Sequence, residues 1–425
     1  MKVDLNPDMQ KETAVNVAER TSPAGIDYWL VEDNTVPLVA MRFGFAGAGA
    51  VQDPEGKEGA AYLLSGLLDE GAGEYDATAF QDLLEDNAIR MSFDASHDTL
   101  SGELTVLSDT IELGGELLAL ALNSPRLDDD AIERTRGQIE AGLRRELNDP
   151  EAMASRLSSE TFFAGHPYAR ASRGSLESLP GIVRADLSSL LEKTVGQDQL
   201  KVSIVGDIKP DAADALVDQA FGALPAIASL QPIGSFVVPT GLVAGKTEDL
   251  AQTIIRIALP GIARDSDDYL TAHVMNHILG GGTFSSRMFK EVREKRGLTY
   301  SVYTYLASRD HSPYFGGGAS TRPERAQETL DVMRSVISEL VEDGPTADEL
   351  QLAKDFLIGS YPLRFDSSQK IAKQLVGMQL EEMPVSYIAE RADLISAISV
   401  EDVHQIARDL LSKPLSIVTV GAALS

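Results

Sequence analysis

The sequence has 425 residues, with 37 Lys and Arg against 65 Asp and Glu, a formal net charge of −28, six histidines and no cysteine. That length predicts about two to four domains, each able to bury a core without staples. The absence of Cys excludes a disulfide scaffold, a thiol nucleophile, a thiolate zinc site and an iron–sulfur cluster. A chain this acidic is also a poor partner for nucleic-acid phosphates and anionic lipid surfaces.

No stretch approaches the about 20 apolar residues of a membrane span, and residues 1–25 contain no apolar signal-peptide core. The expectation is a soluble chain, periplasmic if an export signal has been removed and otherwise cytoplasmic.

Along the chain the elements come in two matching series. In the first, Val36 to Phe45 alternates as a strand, with Met41, Phe43 and Phe45 on one face, and Lys57 to Asp69 carries Ala60, Leu63, Leu64, Leu67 and Leu68 at helical spacing before Gly71. Strands at Ile89 to His97 and Thr99 to Leu107 follow, then a helix at Asp109 to Leu122 and another over 127–143 that opens on acidic residues suited to a helix N-terminus. A helix over 185–193 and a strand over 201–207 close the series.

The second series repeats this order. It has a strand at Thr253 to Ile262, a helix at Asp267 to Leu279, strands at Leu298 to Leu306 and Tyr314 to Ser320, and helices at Pro323 to Val341, over 345–361 and over 401–411, with a last strand over 415–422. The closing glycines Gly206 and Gly421 stand 215 residues apart and the opening strands 217 apart, a near-constant offset that argues for duplication. Between the series, 225–247 is rich in Pro and Gly without a period. The expectation is therefore a first α+β domain over 1–224, a linker over 225–247 and a second α+β domain over 248–425, each an antiparallel sheet with helices packed on one face.

Three segments carry a more specific pattern: GHPYARASRGSLESL at Gly165 to Leu179, IVGD at Ile204 to Asp207, and LGGGTFSSRMFKEVREKRGLTYSV at Leu279 to Val302. Together with the duplication, they resemble the pitrilysin or insulinase family of zinc metallopeptidases, in particular the subfamily that includes mitochondrial processing peptidase.

Active members of that family carry His-x-x-Glu-His on the first long helix. Two His at i and i+4 share a helical face and bind zinc, and the Glu reaches the zinc-bound water as general base. The corresponding residues here are Tyr62, Leu63, Leu64, Ser65 and Gly66, and the third ligand, a Glu on a later helix, falls on Gly142, with Glu140 reached by a shift of two. The resemblance thus implies a first domain without zinc, no cofactor in this chain, and zinc in a homologous partner subunit.

The family's other domain supplies an Arg and a Tyr seven residues apart, matched here by Arg293 and Tyr300. A tyrosine hydroxyl can donate to the oxyanion formed on a scissile carbonyl, and a guanidinium can grip a carboxylate or backbone oxygens. Taken alone, Arg293 reads as a surface helix arginine paired with Glu291 or Glu294, and Tyr300 as a strand aromatic packed in a core. Gly280, Gly281 and Gly282 read as a helix end that turns through dihedrals only glycine accepts cheaply; the resemblance adds a substrate-contacting glycine loop. His273 and His277 have metal-helix spacing, but Asn276 stands where a base would be, and no third ligand is evident.

The resemblance implies a zinc-free subunit of a heterodimeric peptidase acting on peptides. The open alternative is a non-enzymatic scaffold or core-type structural subunit that kept the fold.

Overall fold

The computed structural model describes residues 15–423. In the first series the elements are β1 (Ala18–Thr21), β2 (Asp27–Glu32), β3 (Leu38–Ala46), α1 (Ala60–Ser65), α2 (Ala77–Asp86), β4 (Arg90–Ala95), β5 (Thr99–Leu107), α3 (Ile111–Asn123), α4 (Asp129–Glu146), α5 (Pro150–Phe162), α6 (Arg184–Thr194), β6 (Leu200–Gly206) and α7 (Pro210–Phe221). In the second they are β7 (Val243–Thr247), β8 (Thr253–Pro260), α8 (Tyr269–Asn276), β9 (Thr299–Ala307), β10 (Tyr314–Thr321), α9 (Ala326–Asp343), α10 (Ala347–Gly359), α11 (Ser368–Leu380), α12 (Tyr387–Ala397), α13 (Val400–Leu411) and β11 (Ser416–Gly421).

The strands form two sheets, a six-stranded one in the order β1-β2-β6-β3-β5-β4 and a five-stranded one in the order β7-β11-β8-β10-β9. Both are mainly antiparallel, as the alternating segments predict. Each also holds one parallel pair, β2 with β6 and β7 with β11. Strand β7 lies inside the expected linker 225–247, whose last residues pair with β11 instead of spanning freely.

The chain divides into two compact units that are not the contiguous halves expected. Of the described residues, one unit comprises 15–144, 171–232 and 361–385; the other comprises 145–170, 233–360 and 386–423. The reason is a reciprocal exchange of one helix. Helix α11 belongs to the first unit, where Gln379 donates to the Val202 carbonyl (2.8 Å) and Ser203 donates to the Ala372 carbonyl (2.7 Å). Helix α5 belongs to the second unit, where Ala154 packs with Ile254 and Val420 and Glu151 pairs with Arg256.

The exchange also corrects the expectation of helices on one face only. The main core of the first unit lies on one face, with Leu30, Met41, Phe43, Leu104 and Ile204 packed under α1, α3, α6 and α7. Helix α11 covers the other face, which is why β3 and β6 read as near-continuous buried strands and not as a strict alternation.

Helix α1 is shorter than its apolar pattern. It starts after Gly59 at φ 93° and ends at Gly66, while Leu67 and Leu68 stay buried in the turns beyond. The Asp53 carboxylate caps it, accepting from the N–H groups of Gly59 (2.7 Å) and Ala61 (2.8 Å).

Candidate functional site

In the second unit, α8 ends at Asn276 and the chain continues through a π-helical turn over His277–Gly281, where the Gly282 N–H reaches the His277 carbonyl (2.9 Å). None of Gly280, Gly281 and Gly282 has a positive φ, contrary to the dihedral argument. Close packing requires them instead. A Cβ on Gly280 would stand 2.7 Å from the Thr304 backbone nitrogen, and one on Gly282 would stand 2.6 Å from the His277 carbonyl oxygen. Gly280 and Gly282 are buried and Gly281 is exposed.

His277 is buried against Phe356, with ring centroids 4.9 Å apart, and burial holds its pKa below the ordinary histidine value. His273 stacks on Tyr269, and Asn276 accepts a hydrogen bond from Thr304 (2.7 Å). Among the described residues no cluster of three or more His, Asp or Glu is placed to hold a metal ion.

Beyond the glycines, Thr283 takes φ 43°, a costly conformation for a β-branched residue, and Phe284 follows it 72% exposed. Phe284 meets Phe289 edge to face at 5.0 Å. Phe289 opens a second π-helical turn, Phe289–Glu294, which carries Arg293 in its last turn. The Arg293 guanidinium carbon lies 4.8 Å from the Phe289 ring centroid and 4.6 Å from that of Tyr300, so the cation is held between two aromatic faces.

Tyr300 reaches this position through a β-bulge. Thr299 pairs with Thr321 and Ser301 with Ser320, leaving Tyr300 as the extra residue of β9. The Thr299 hydroxyl fastens the bulge, accepting from the Ser301 N–H (3.1 Å) and lying 2.5 Å from the Ser320 carbonyl oxygen. Tyr300 is 78% exposed, so the plainer expectation of a core aromatic does not hold.

The expected Arg293–Glu291 pairing is also not found, because Glu291 is taken by Lys295 (2.5 Å) and Arg296 (2.7 Å). Among the described residues the Arg293 side chain has no ion pair or hydrogen bond, which leaves its guanidinium N–H groups available to a ligand. Arg287 anchors the segment from below. It grips Glu349 through two nitrogens (2.8 and 2.7 Å) and donates to the Gly344 carbonyl (2.8 Å). Burial alone would raise the Glu349 pKa, but Arg287 and the Thr346 N–H outweigh it and hold the group below its ordinary value.

Sequence reasoning paired Arg293 with Tyr300 but missed Phe284, Phe289 and Thr299. The i, i+4 spacing of Phe289 and Arg293 was an available signal for stacking on one helical face.

In the first unit, the residues at the family's metal positions supply no ligand pair. The Ser65 hydroxyl donates to the Tyr62 carbonyl (2.8 Å), Gly66 and Gly142 have no side chains, and the Glu140 carboxylate is held by Arg144 (2.6 Å) on the same helix. This donor set does not suit a zinc ion.

A duplicated α+β chain whose metal positions lack ligands and whose second unit presents a half-buried Arg stacked on an exposed Tyr defines a zinc-peptidase fold without its own metal-ligand set. Family models match residues 34–175, described as insulinase (peptidase family M16), and residues 181–357, described as the peptidase M16 inactive domain. A solved peptidase M16 inactive domain from Pseudomonas fluorescens is 31% identical, covering 96% of this chain and 99% of that one, with a TM-score of 0.90. The chain belongs to the M16, or insulinase, family of peptidases.

Among curated relatives, a protein of Helicobacter pylori named a non-peptidase homologue is 29% identical over 336 residues, spanning 78% of this chain and 77% of that protein. A Streptomyces coelicolor protein named an uncharacterized zinc protease is 26% identical, over 96% of this chain and 91% of that one. A probable mitochondrial-processing peptidase subunit beta of Schizosaccharomyces pombe is 24% identical, over 88% and 85%. No helix among the described residues is long and apolar enough to cross a membrane.

Proposed function

We propose that this chain is the zinc-free subunit of a heterodimeric M16 peptidase. A homologous partner carrying His-x-x-Glu-His supplies the zinc and the general base, and this chain supplies Arg293 and Tyr300. The substrates are peptides or unfolded segments held by strand addition to a sheet edge of the catalytic subunit. In this reading Tyr300 donates to the developing oxyanion and Arg293 holds a substrate carboxylate or carbonyl. Gly281 is the exposed member of the glycine loop expected to meet substrate.

The observation that carries the reading is the Arg293–Tyr300 stack, a guanidinium without an internal anion beside a hydroxyl delivered to the surface by a bulge. The name of the Helicobacter relative and the inactive-domain structure support a non-catalytic chain, and the mitochondrial subunit supports pairing.

The test is reconstitution with a zinc-bearing homologue, scoring peptide hydrolysis and assembly separately. The chain alone should show no chelator-sensitive hydrolysis. In the reconstituted pair, Tyr300→Phe should lower kcat by about 100-fold, and Arg293→Ala should raise KM, with the complex intact by sedimentation. Intact assembly with unchanged turnover in both variants would overturn this reading and establish the scaffold.

A further inference from the structure

Two of the residues standing at the family's metal positions, Tyr62 and Gly142, meet one side chain that sequence reasoning passed over, Arg173. The loop that carries it is laid tightly over the start of α1. A Cβ on Gly59 would stand 2.7 Å from the Gly174 Cα, and one on Gly174 would stand 2.5 Å from the Glu58 carbonyl oxygen. Gly174 sits at φ 76°, and the Ser178 hydroxyl donates to the Glu58 carbonyl (2.8 Å). Two bare glycines and a hydroxyl clamp thus fix where residue 173 leaves the backbone.

From there the half-buried Arg173 side chain reaches both helices of the degenerate site. Its guanidinium carbon lies 5.6 Å from the centroid of the Tyr62 ring, where the first metal histidine would stand. Its Nη2 lies 3.3 Å from the point where a Cβ at residue 142 would stand, the position of the missing carboxylate ligand.

We infer that the Arg173 guanidinium is a built-in occupant of the degenerate metal pocket, a fixed monocation of the chain itself in the place of a divalent ion. Gly142 leaves room for it, and the Tyr62 ring offers it a π-face. An arginine is not deprotonated in proteins, so the guanidinium holds this space with N–H donors and no lone pair to offer a metal. The pocket therefore rejects divalent metal for a reason beyond the loss of ligands. This inference is independent of the Arg293–Tyr300 reading.

The decisive comparison restores the ligands in the full-length chain, as Tyr62→His, Ser65→Glu, Gly66→His and Gly142→Glu together, with and without Arg173→Leu. Zinc is measured by equilibrium dialysis and calorimetry. With Arg173 present, zinc binding should stay sub-stoichiometric; with Arg173→Leu it should become stoichiometric and tighten by about 10- to 100-fold. Equal zinc affinity in the two backgrounds would overturn the inference.

A Cβ at position 66 meets the Thr135 methyl at 3.2 Å, so the multiple variant strains α4 and can misfold. A second measurement needs only single substitutions. In a thermal-unfolding cycle, Gly142→Glu should raise Tm more in the Arg173 chain than in the Arg173→Leu chain, because the new carboxylate meets the guanidinium. Additive effects, with no coupling between 142 and 173, would show that the guanidinium is not in the pocket.

Discussion

Asp69 stands just past α1 with its carboxyl largely shielded from water. Burial, with a smaller contribution from the neighbouring Glu70 charge, pushes its pKa up to about 6. A carboxyl raised in this way is protonated more readily in the folded chain than in the unfolded one. Stability therefore falls as pH rises from about 4 to about 6, and the penalty is complete above that. Asp69→Asn removes it, so the variant should gain about 2 kcal/mol at pH 7 and nothing below about pH 4, as read by urea unfolding at the two pH values. At the same scale, Arg293 shows how far sequence reasoning reached. Its spacing from Tyr300 was legible, but its freedom was not, because that depends on Lys295 and Arg296 taking Glu291. Arg173 was illegible for a related reason, since its reach is set by contact between Gly59 and Gly174, residues 115 apart in sequence.

Most strands were readable from apolar periodicity because they have an amphipathic or largely buried pattern, whereas β1 and β7 are exposed along most of their length and show no such signal. The π-helical turns were not readable either, since a hydrogen bond from residue i+5 to residue i leaves no distinct spacing of apolar residues. Nor was the assignment of α5 and α11, because an amphipathic helix shows that one face is covered without showing which sheet covers it. The first of these turns makes a specific demand on the glycine segment. Gly280→Ala drives a Cβ into the Thr304 backbone of β9 and should cost about 1–3 kcal/mol. At Gly281 the new atom would meet the Asn276 side-chain amide at 2.5 Å, and a side chain can rotate where a strand backbone cannot. Denaturant midpoints should therefore rank wild type above Gly281→Ala, and Gly281→Ala above Gly280→Ala.

For the molecule as a whole, the duplication gives two sheets of matching order, and each unit is completed by a helix from the other half of the sequence. A fragment ending at residue 232 has the first sheet but not α11, and it carries α5 with no sheet to cover. Its transition should lie at least about 10 °C below that of the full chain, with increased dye binding to exposed apolar surface, and added peptide 361–385 should partly restore it. The net charge of −28 opposes self-association at neutral pH, and the partner subunit proposed above would have to tolerate or complement that field. The exchange also sets a timetable for synthesis. Residues 361–385 leave the ribosome only after most of the second unit has emerged, so the first sheet waits with one apolar face open until translation is nearly finished. That interval is when nascent chains need a chaperone most, and for this protein the late helix decides when it ends.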